Sequence, residues 1–172
     1  FGLSVELSRE SAARRTLATY RSSTRTIVWP VTTGPGTLAH EVAHDLDAQA
    51  ATRKVGGVAG YASESRSTPP PPSFRAALAI LAPTGPVTMG LPAWQLGHAQ
   101  RPAEIVARTF DWFVVTRLAG TGRWNGALSS AQDEHFTGNG SLGPPGIGPD
   151  YAPAVIEVVR SLAAIPPEHR AG

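Results

Sequence analysis

Two histidines four residues apart, in a stretch with helical character, constrain the fold of this chain more than any other feature. The motif reads HEVAH at residues 40–44 and lies within the run 37–51, which we predict to be one helix. Residues four apart on a helix differ by roughly 40° around the axis and about 6 Å along it. Both imidazoles can therefore reach one metal ion, so the spacing predicts a metal centre built on this helix.

Glu41 is the acid–base group that such a centre needs. Zinc binds imidazole nitrogen and carboxylate oxygen, and it lowers the pKa of a bound water to about 7. A carboxylate beside the first histidine can take the proton of that water as it attacks a carbonyl carbon. The pattern predicts one zinc ion (Zn²⁺) per chain, with His40 and His44 as ligands and Glu41 as general base. A solvated helix rich in His and Glu is the competing interpretation.

A third protein ligand is required, because catalytic zinc sites use three and leave the fourth position open. The segment 101–113 has the character of a strong helix, with Pro102 in its first turn. A carboxylate in so apolar a helix is costly to bury without a cation. We expect Glu104 to be the third ligand and Asp111, on the same face, to support the site and to be the first alternative. A Glu that only complements the helix dipole is the other interpretation.

We expect Asp47 to contact a ligand histidine without binding the metal itself. It follows His44 by three residues and His40 by seven, so it shares their helical face. Its carboxylate can accept the second ring N–H of a ligand imidazole. Asp45 lies on a different face, and we expect it to be a solvated charge.

Two stretches carry a resemblance to known proteins: GPGTLAHE at 34–41 with Leu46-Asp47, and RPAE at 101–104 with ARTF at 107–110. They resemble the large polyvalent protein associated zincin-like domains of phage and mobile-element proteins. More distantly, they are similar to the lethal-factor-like gluzincin peptidases, whose pattern is HExxH and a later Glu ligand. The opening residues 1–3 and the stretch 122–128 also fit the first family, although only the two helical motifs are specific. The resemblance implies the same ligands, His40, His44 and Glu104, with Glu41 as base.

Two positions depart from the pattern of these families. Val42 replaces a bulky aromatic residue, and His98 stands six residues before Glu104, where the families carry a Tyr that stabilises the oxyanion. His98 can also donate a hydrogen bond. We expect it to line the open side of the site and to assist catalysis without binding the metal. An exposed loop histidine without a role is the alternative.

Length and composition agree with one domain spanning residues 1–172, since 172 residues of which 41% are hydrophobic can bury a sizeable core. The chain begins with Phe1 and has no secretory leader, so we expect a piece of a longer protein, either cytoplasmic or delivered as part of that protein. No stretch approaches the about 18 apolar residues that a membrane helix needs. There is no cysteine, so zinc must be held by nitrogen and oxygen.

Charge argues against nucleic acid as the partner. The formal net charge is +2, acidic residues are interspersed with the arginines, and neither a basic block nor an RNA-binding aromatic motif is present. We expect a protein or peptide substrate, and the pattern says nothing about oligomeric state.

The predicted fold class is α+β and mostly helical: a minimal zincin-like fold with a short sheet packed on the HExxH helix. The predicted elements are helices at 8–20, 37–53, 73–81, 101–118 and 152–163, a strand at 25–31 and a short edge strand at 58–61. The function expected from this fold and these motifs is that of a zinc metallopeptidase, a hydrolase. The alternative is a non-proteolytic zinc-binding module of a phage or mobile-element polyprotein, with a structural, binding or antirestriction role.

Overall fold

The computed structural model describes residues 2–8, 18–30, 38–55, 60–66, 69–82, 97–98, 100–123, 125 and 151–164. Within these ranges the chain is mixed α+β and mostly helical. The strands are β1 (Ser4–Ser8), β2 (Thr19–Arg21) and β3 (Thr26–Pro30), and the helices are α1 (Leu38–Val55), α2 (Pro72–Leu81), α3 (Pro102–Ala119) and α4 (Ala152–Ala163). A 3₁₀ turn, Ala62–Glu64, follows α1. No helix in this part of the chain is long and apolar enough to cross a membrane.

The predicted strand at 25–31 and the four helices from 37 onward are confirmed, with ends that differ by at most two residues. The helix predicted at 8–20 is wrong at both ends. Ser8 ends β1 opposite Pro30, and Tyr20 lies in β2 opposite Ile27, while residues 9–17 lie outside the described ranges. Helix propensity is a weak preference, and pairing with the apolar strand β3 overrides it here. The edge strand expected at 58–61 is absent at its described residues, 60 and 61.

The sheet has the strand order β1-β3-β2, with β1 parallel and β2 antiparallel to the central strand β3. Tyr20 and Ile27 face each other across β2 and β3, and both are buried. Together with Ala48 of α1 they form a small apolar cluster, against which Leu38 and Val42 also pack. The sheet is therefore held against the helix that carries the HEVAH motif.

Helices α2, α3 and α4 enclose the larger core. Its buried residues come from all three helices: Phe74, Ala77, Leu78, Leu81, Ile105, Val106, Ala154, Val155, Val158 and Leu162. Leu46 of α1 packs against this core, whereas Leu38 and Val42 of the same helix pack against the sheet cluster. Helix α1 thus lies between the sheet and the helical core.

Helix α1 buries its polar residues more deeply than its large apolar ones. Leu38, Val42 and Leu46 are only half-buried. Four ionisable side chains of the same helix are buried: Glu41, His44, Asp45 and Asp47. Buried polar groups need hydrogen-bond or charged partners inside the protein, so the partners of these four residues determine what surrounds α1.

The expectation that Asp45 is a solvated charge is wrong, because its side chain is only 4% exposed. Its carboxylate accepts hydrogen bonds from the Tyr20 hydroxyl at 2.7 Å, from Arg25 at 3.0 and 3.2 Å, and from the Gln49 amide at 2.6 Å. Arg25 makes these bonds from the β2–β3 turn with a φ of 50°, a conformation that side chains disfavour. Burial and the hydrogen bond to Asp45 raise the pKa of Tyr20. This network joins α1 to the turn between β2 and β3.

Replacing Tyr20 with Phe should lower the free energy of unfolding by about 1–3 kcal/mol, because a buried carboxylate loses a hydrogen bond that water cannot replace. Urea denaturation measures the loss. Tyr151→Phe is the matched control, since Tyr151 packs against the helical core, and we expect a change within about 0.5 kcal/mol. Equal effects of the two substitutions would contradict the network as a stabilising element.

Candidate metal centre

His40, His44 and Glu104 meet between α1 and α3. The Nε2 atoms of the two histidines are 3.2 Å apart. The carboxylate oxygens of Glu104 lie 3.5 Å from Nε2 of His40 and 3.4 Å from Nε2 of His44. His44 and Glu104 are buried, and His40 is half-buried. This group could hold a metal ion.

The spacing of the three donor atoms suits a small ion. Imidazole nitrogen and carboxylate oxygen bind such ions at about 2.0–2.2 Å, and an edge of a regular tetrahedron is about 1.6 times that bond length, or about 3.3–3.6 Å. The observed separations of 3.2, 3.4 and 3.5 Å lie within or close to this range. The residues present therefore fit an ion placed between them.

Small side chains on both helices allow the donors to meet. Ala43 on α1 and Ala103 and Ala107 on α3 are buried, and α1 packs more extensively against α3 than against any other described element. The distance between packed helices depends on the side chains at the contact. Since Glu104 lies in the first turn of α3, its carboxylate can reach the turn of α1 that carries both histidines.

The carboxylate of Glu104 is held in its ionised form. Burial by itself raises the pKa of Glu104, but hydrogen bonds and positive charge from His40 and His44 outweigh it and lower that pKa well below its usual range. Arg108, one turn further along α3, places a guanidinium nitrogen 3.6 Å from Oε2 of Glu104. Burial lowers the pKa of Arg108, and the charge of Glu104 opposes this. The centre therefore presents the form of the carboxylate that binds cations.

Glu41 lies beside this group and is buried. Burial raises the pKa of Glu41, whereas the charges of His40 and His44 lower it, and the net direction is upward. The nearby backbone of Tyr20 also lowers this pKa, but by less. A carboxylate with a raised pKa is suited to take up and hold a proton.

His98 lies at the exposed rim of the donor group. Its Nε2 atom is 3.5 Å from Oε1 of Glu104, while its side chain is 60% exposed. Its carbonyl accepts the backbone N–H of Arg101 at 3.0 Å, which holds it just before α3. The structure thus brings His98 to the site on its solvent side, outside the group of three donors.

Asp47 does not support a histidine in the expected way. Its carboxylate accepts the backbone N–H of Ser63 at 3.0 Å and the Ser63 hydroxyl at 2.5 Å. Nδ1 of His44 is buried and forms no hydrogen bond with a described residue. Burial raises the pKa of Asp47, while the bonds from Ser63 and the charge of His44 lower it. Asp111 is half-buried and lies outside the donor group.

The segment that follows α1 contributes to the site, and the sequence did not reveal it. The Tyr61 ring lies 5.2 Å from the ring of His44, and burial together with nearby carboxylates raises the pKa of Tyr61 to about 12. Ser63 and Glu64 follow in the 3₁₀ turn. No motif or periodicity marks these residues, because their contacts depend on where the fold places the loop.

Comparisons of this chain with family models, with curated proteins and with solved structures give no match. The resemblance to zincin-like domains therefore depends on the two helical motifs. The grouping of His40, His44 and Glu104 is independent of that resemblance, because the distances between the side chains establish it.

Glu104→Ala should weaken zinc binding at least tenfold. Changing a residue that only supports a ligand typically costs 10- to 100-fold in metal affinity, and losing a ligand should cost no less. His40→Ala and His44→Ala should abolish the binding of one zinc per chain. Competition with a chelating dye measures both quantities.

Asp111→Asn is the matched control for this experiment, since it alters a carboxylate of the same helix that lies outside the donor group. Its zinc affinity should equal that of the wild type. Unchanged affinity in Glu104→Ala, or a stronger effect in Asp111→Asn, would move the third ligand away from Glu104.

Proposed function

We propose that this chain is a zinc-dependent metallopeptidase domain of the gluzincin type with a minimal zincin-like fold. One observation carries the proposal: His40, His44 and Glu104 converge beside a buried Glu41. In the described part of the chain the donor group contains three side chains. Structural zinc sites are closed by four protein ligands, whereas catalytic sites use three and keep one position open. The arrangement therefore favours a catalytic centre over a structural one.

Zinc is the metal that this donor set favours. The ligands are two imidazole nitrogens and one carboxylate, and the chain contains no cysteine. Calcium and magnesium prefer sites made of oxygen ligands. Copper and nickel accept imidazole but favour square-planar or tetragonal sites, whereas zinc is almost always tetrahedral when bound to protein nitrogen and oxygen. The near-tetrahedral spacing of the donors supports zinc.

The residues around the centre have distinct roles in hydrolysis. When bound, zinc lowers the pKa of a water molecule to about 7 and polarises a carbonyl group. Glu41 would accept a proton from the attacking water and would then give that proton to the leaving amine nitrogen. The raised pKa of Glu41 favours holding the proton between the two transfers.

Strand β2 offers an edge on which a peptide can lie. It stands at one end of the sheet and runs antiparallel to β3. The backbone of Tyr20 lies close enough to the Glu41 carboxylate to affect its pKa, so β2 runs beside the centre. Extended peptides bind such edges through main-chain hydrogen bonds. We propose that the substrate binds as an added strand beside β2.

Glu41→Gln should bind zinc like the wild type but lose at least about 100-fold in the hydrolysis of an unfolded protein such as casein, because an amide cannot accept the proton. Release of soluble peptides measures turnover, and metal analysis measures zinc. Glu6→Gln, an exposed carboxylate on β1, is the control and should keep full activity.

Equal hydrolysis by the wild type and Glu41→Gln would exclude Glu41 as the base. Stoichiometric zinc without any hydrolysis by the wild type would instead favour the non-proteolytic zinc-binding module.

His98→Ala should keep one zinc per chain and lower the turnover number by about 10²- to 10³-fold, the effect typical of removing an oxyanion donor. The position of its Nε2 beside Glu104, on the solvent side of the donors, motivates this role. His98→Tyr should recover part of the lost rate because a phenol can also donate. An unaltered turnover number in His98→Ala would remove this residue from the mechanism.

A further inference from the structure

We infer that the bridge segment, residues 61–64, holds the two ligand-bearing helices at a fixed separation and thereby sets the metal affinity of the centre. The segment follows α1 in sequence, and its 3₁₀ turn, Ala62–Glu64, packs against both α1 and α3. The inference rests on the metal centre of the proposed function, but it does not require that the centre hydrolyse peptides.

On the side of α1, the bridge segment is attached at two points next to the histidine ligands. The ring of Tyr61 lies 5.2 Å from the ring of His44. The hydroxyl and the backbone N–H of Ser63 both donate to the carboxylate of Asp47, and Asp47 is only 1% exposed. Hydrogen bonds to a buried carboxylate are strong and expensive to lose. Asp47 is therefore an anchor for the bridge segment.

On the side of α3, the bridge segment is attached just before the third ligand. Arg101 donates to both carboxylate oxygens of Glu64, at 3.0 and 2.8 Å. This paired geometry restrains direction as well as distance. Because Arg101 precedes Glu104 by three residues, the ion pair holds the first turn of α3, where Glu104 lies. The backbone N–H of Arg101 also donates to the carbonyl of His98.

A precise separation of the helices matters because the ligand atoms come from two elements. The Nε2 atoms are placed by α1 alone, whereas the Glu104 oxygens, 3.4 and 3.5 Å away, are placed by α3. Metal sites require their ligands within about 0.5 Å of the bound geometry. A bridge that connects Asp47 to Arg101 supplies this restraint before any ion binds, so less free energy is lost to ordering on binding. Ser63, Glu64 and Arg101 are thus positioning residues.

The experiment measures zinc affinity, together with the visible spectrum of the cobalt-substituted protein, in the full chain. Ser63→Ala should weaken zinc binding 10- to 100-fold, as for other residues that support ligands. Arg101→Gln and Glu64→Gln should weaken it about threefold, because their ion pair is more exposed. In the Ser63 variant the position and intensity of the cobalt bands should change, because the Glu104 carboxylate is no longer held in place. Ser63→Thr, which keeps the hydroxyl, should restore most of the affinity.

Thr109→Val is the matched control. It removes a buried hydrogen bond from the Thr109 hydroxyl to the Ile105 carbonyl within α3, so it perturbs the same helix without touching the bridge segment. Its zinc affinity and cobalt spectrum should match those of the wild type, even if it unfolds at a lower temperature. This control separates general destabilisation from loss of the restraint.

Wild-type affinity in Ser63→Ala, or an equal loss in Thr109→Val, would overturn the inference. If Ser63→Ala does not fold, Glu64→Gln and Arg101→Gln decide the matter by the same measurement. The outcome is distinct from that of the proposed function: zinc binding that is insensitive to these variants overturns the bridge and leaves the peptidase intact. Sensitive zinc binding without hydrolysis supports the bridge and overturns the peptidase.

Discussion

Helix α1 buries four ionisable side chains, and the rest of the described structure depends on how each of them finds a partner. A buried charge or polar group without a partner costs a large share of the free energy that stabilises a small domain. Asp45 takes its partners from the sheet side, and Asp47 takes its partner from the bridge segment. His44 contacts Glu104 of α3, and Glu41 lies close to the backbone of Tyr20 in β2. The need to satisfy one polar helix therefore explains the placement of the sheet, the bridge segment and α3.

The polar groups of α1 differ in how completely they are satisfied. Asp45 receives hydrogen bonds from three side chains and forms a closed structural network. At the metal centre, Nδ1 of His44 forms no hydrogen bond within the described part of the chain, and the Nε2 atoms of His40 and His44 face each other at 3.2 Å. Incomplete satisfaction of buried groups is typical of sites that function by binding something else. The contrast within one helix separates the residues that hold the fold together from those proposed to bind an ion.

The sequence predicted the parts of the site that follow from local geometry and failed where tertiary contacts decide. His40, His44 and Glu104 were predicted from helical spacing and motif, and the structure brings them together. Asp45 was predicted to be solvated, because a face of α1 without a motif gave no sign that Tyr20 and Arg25 would cover it. The helix predicted at 8–20 failed for a related reason, since strand pairing with β3 cannot be read from the local pattern.

The sequence by itself determined the relative position of His40 and His44, because the hydrogen-bonding period of one helix places residues four apart on one face. It also determined that any metal would be bound by nitrogen and oxygen, since the chain has no thiol. Only the tertiary structure decided that the Glu104 carboxylate lies 3.4 to 3.5 Å from both Nε2 atoms, and that Asp47 bonds to Ser63 instead of a histidine. Those contacts are between residues far apart in the chain. They depend on how closely α1 and α3 pack and on where the bridge segment lies.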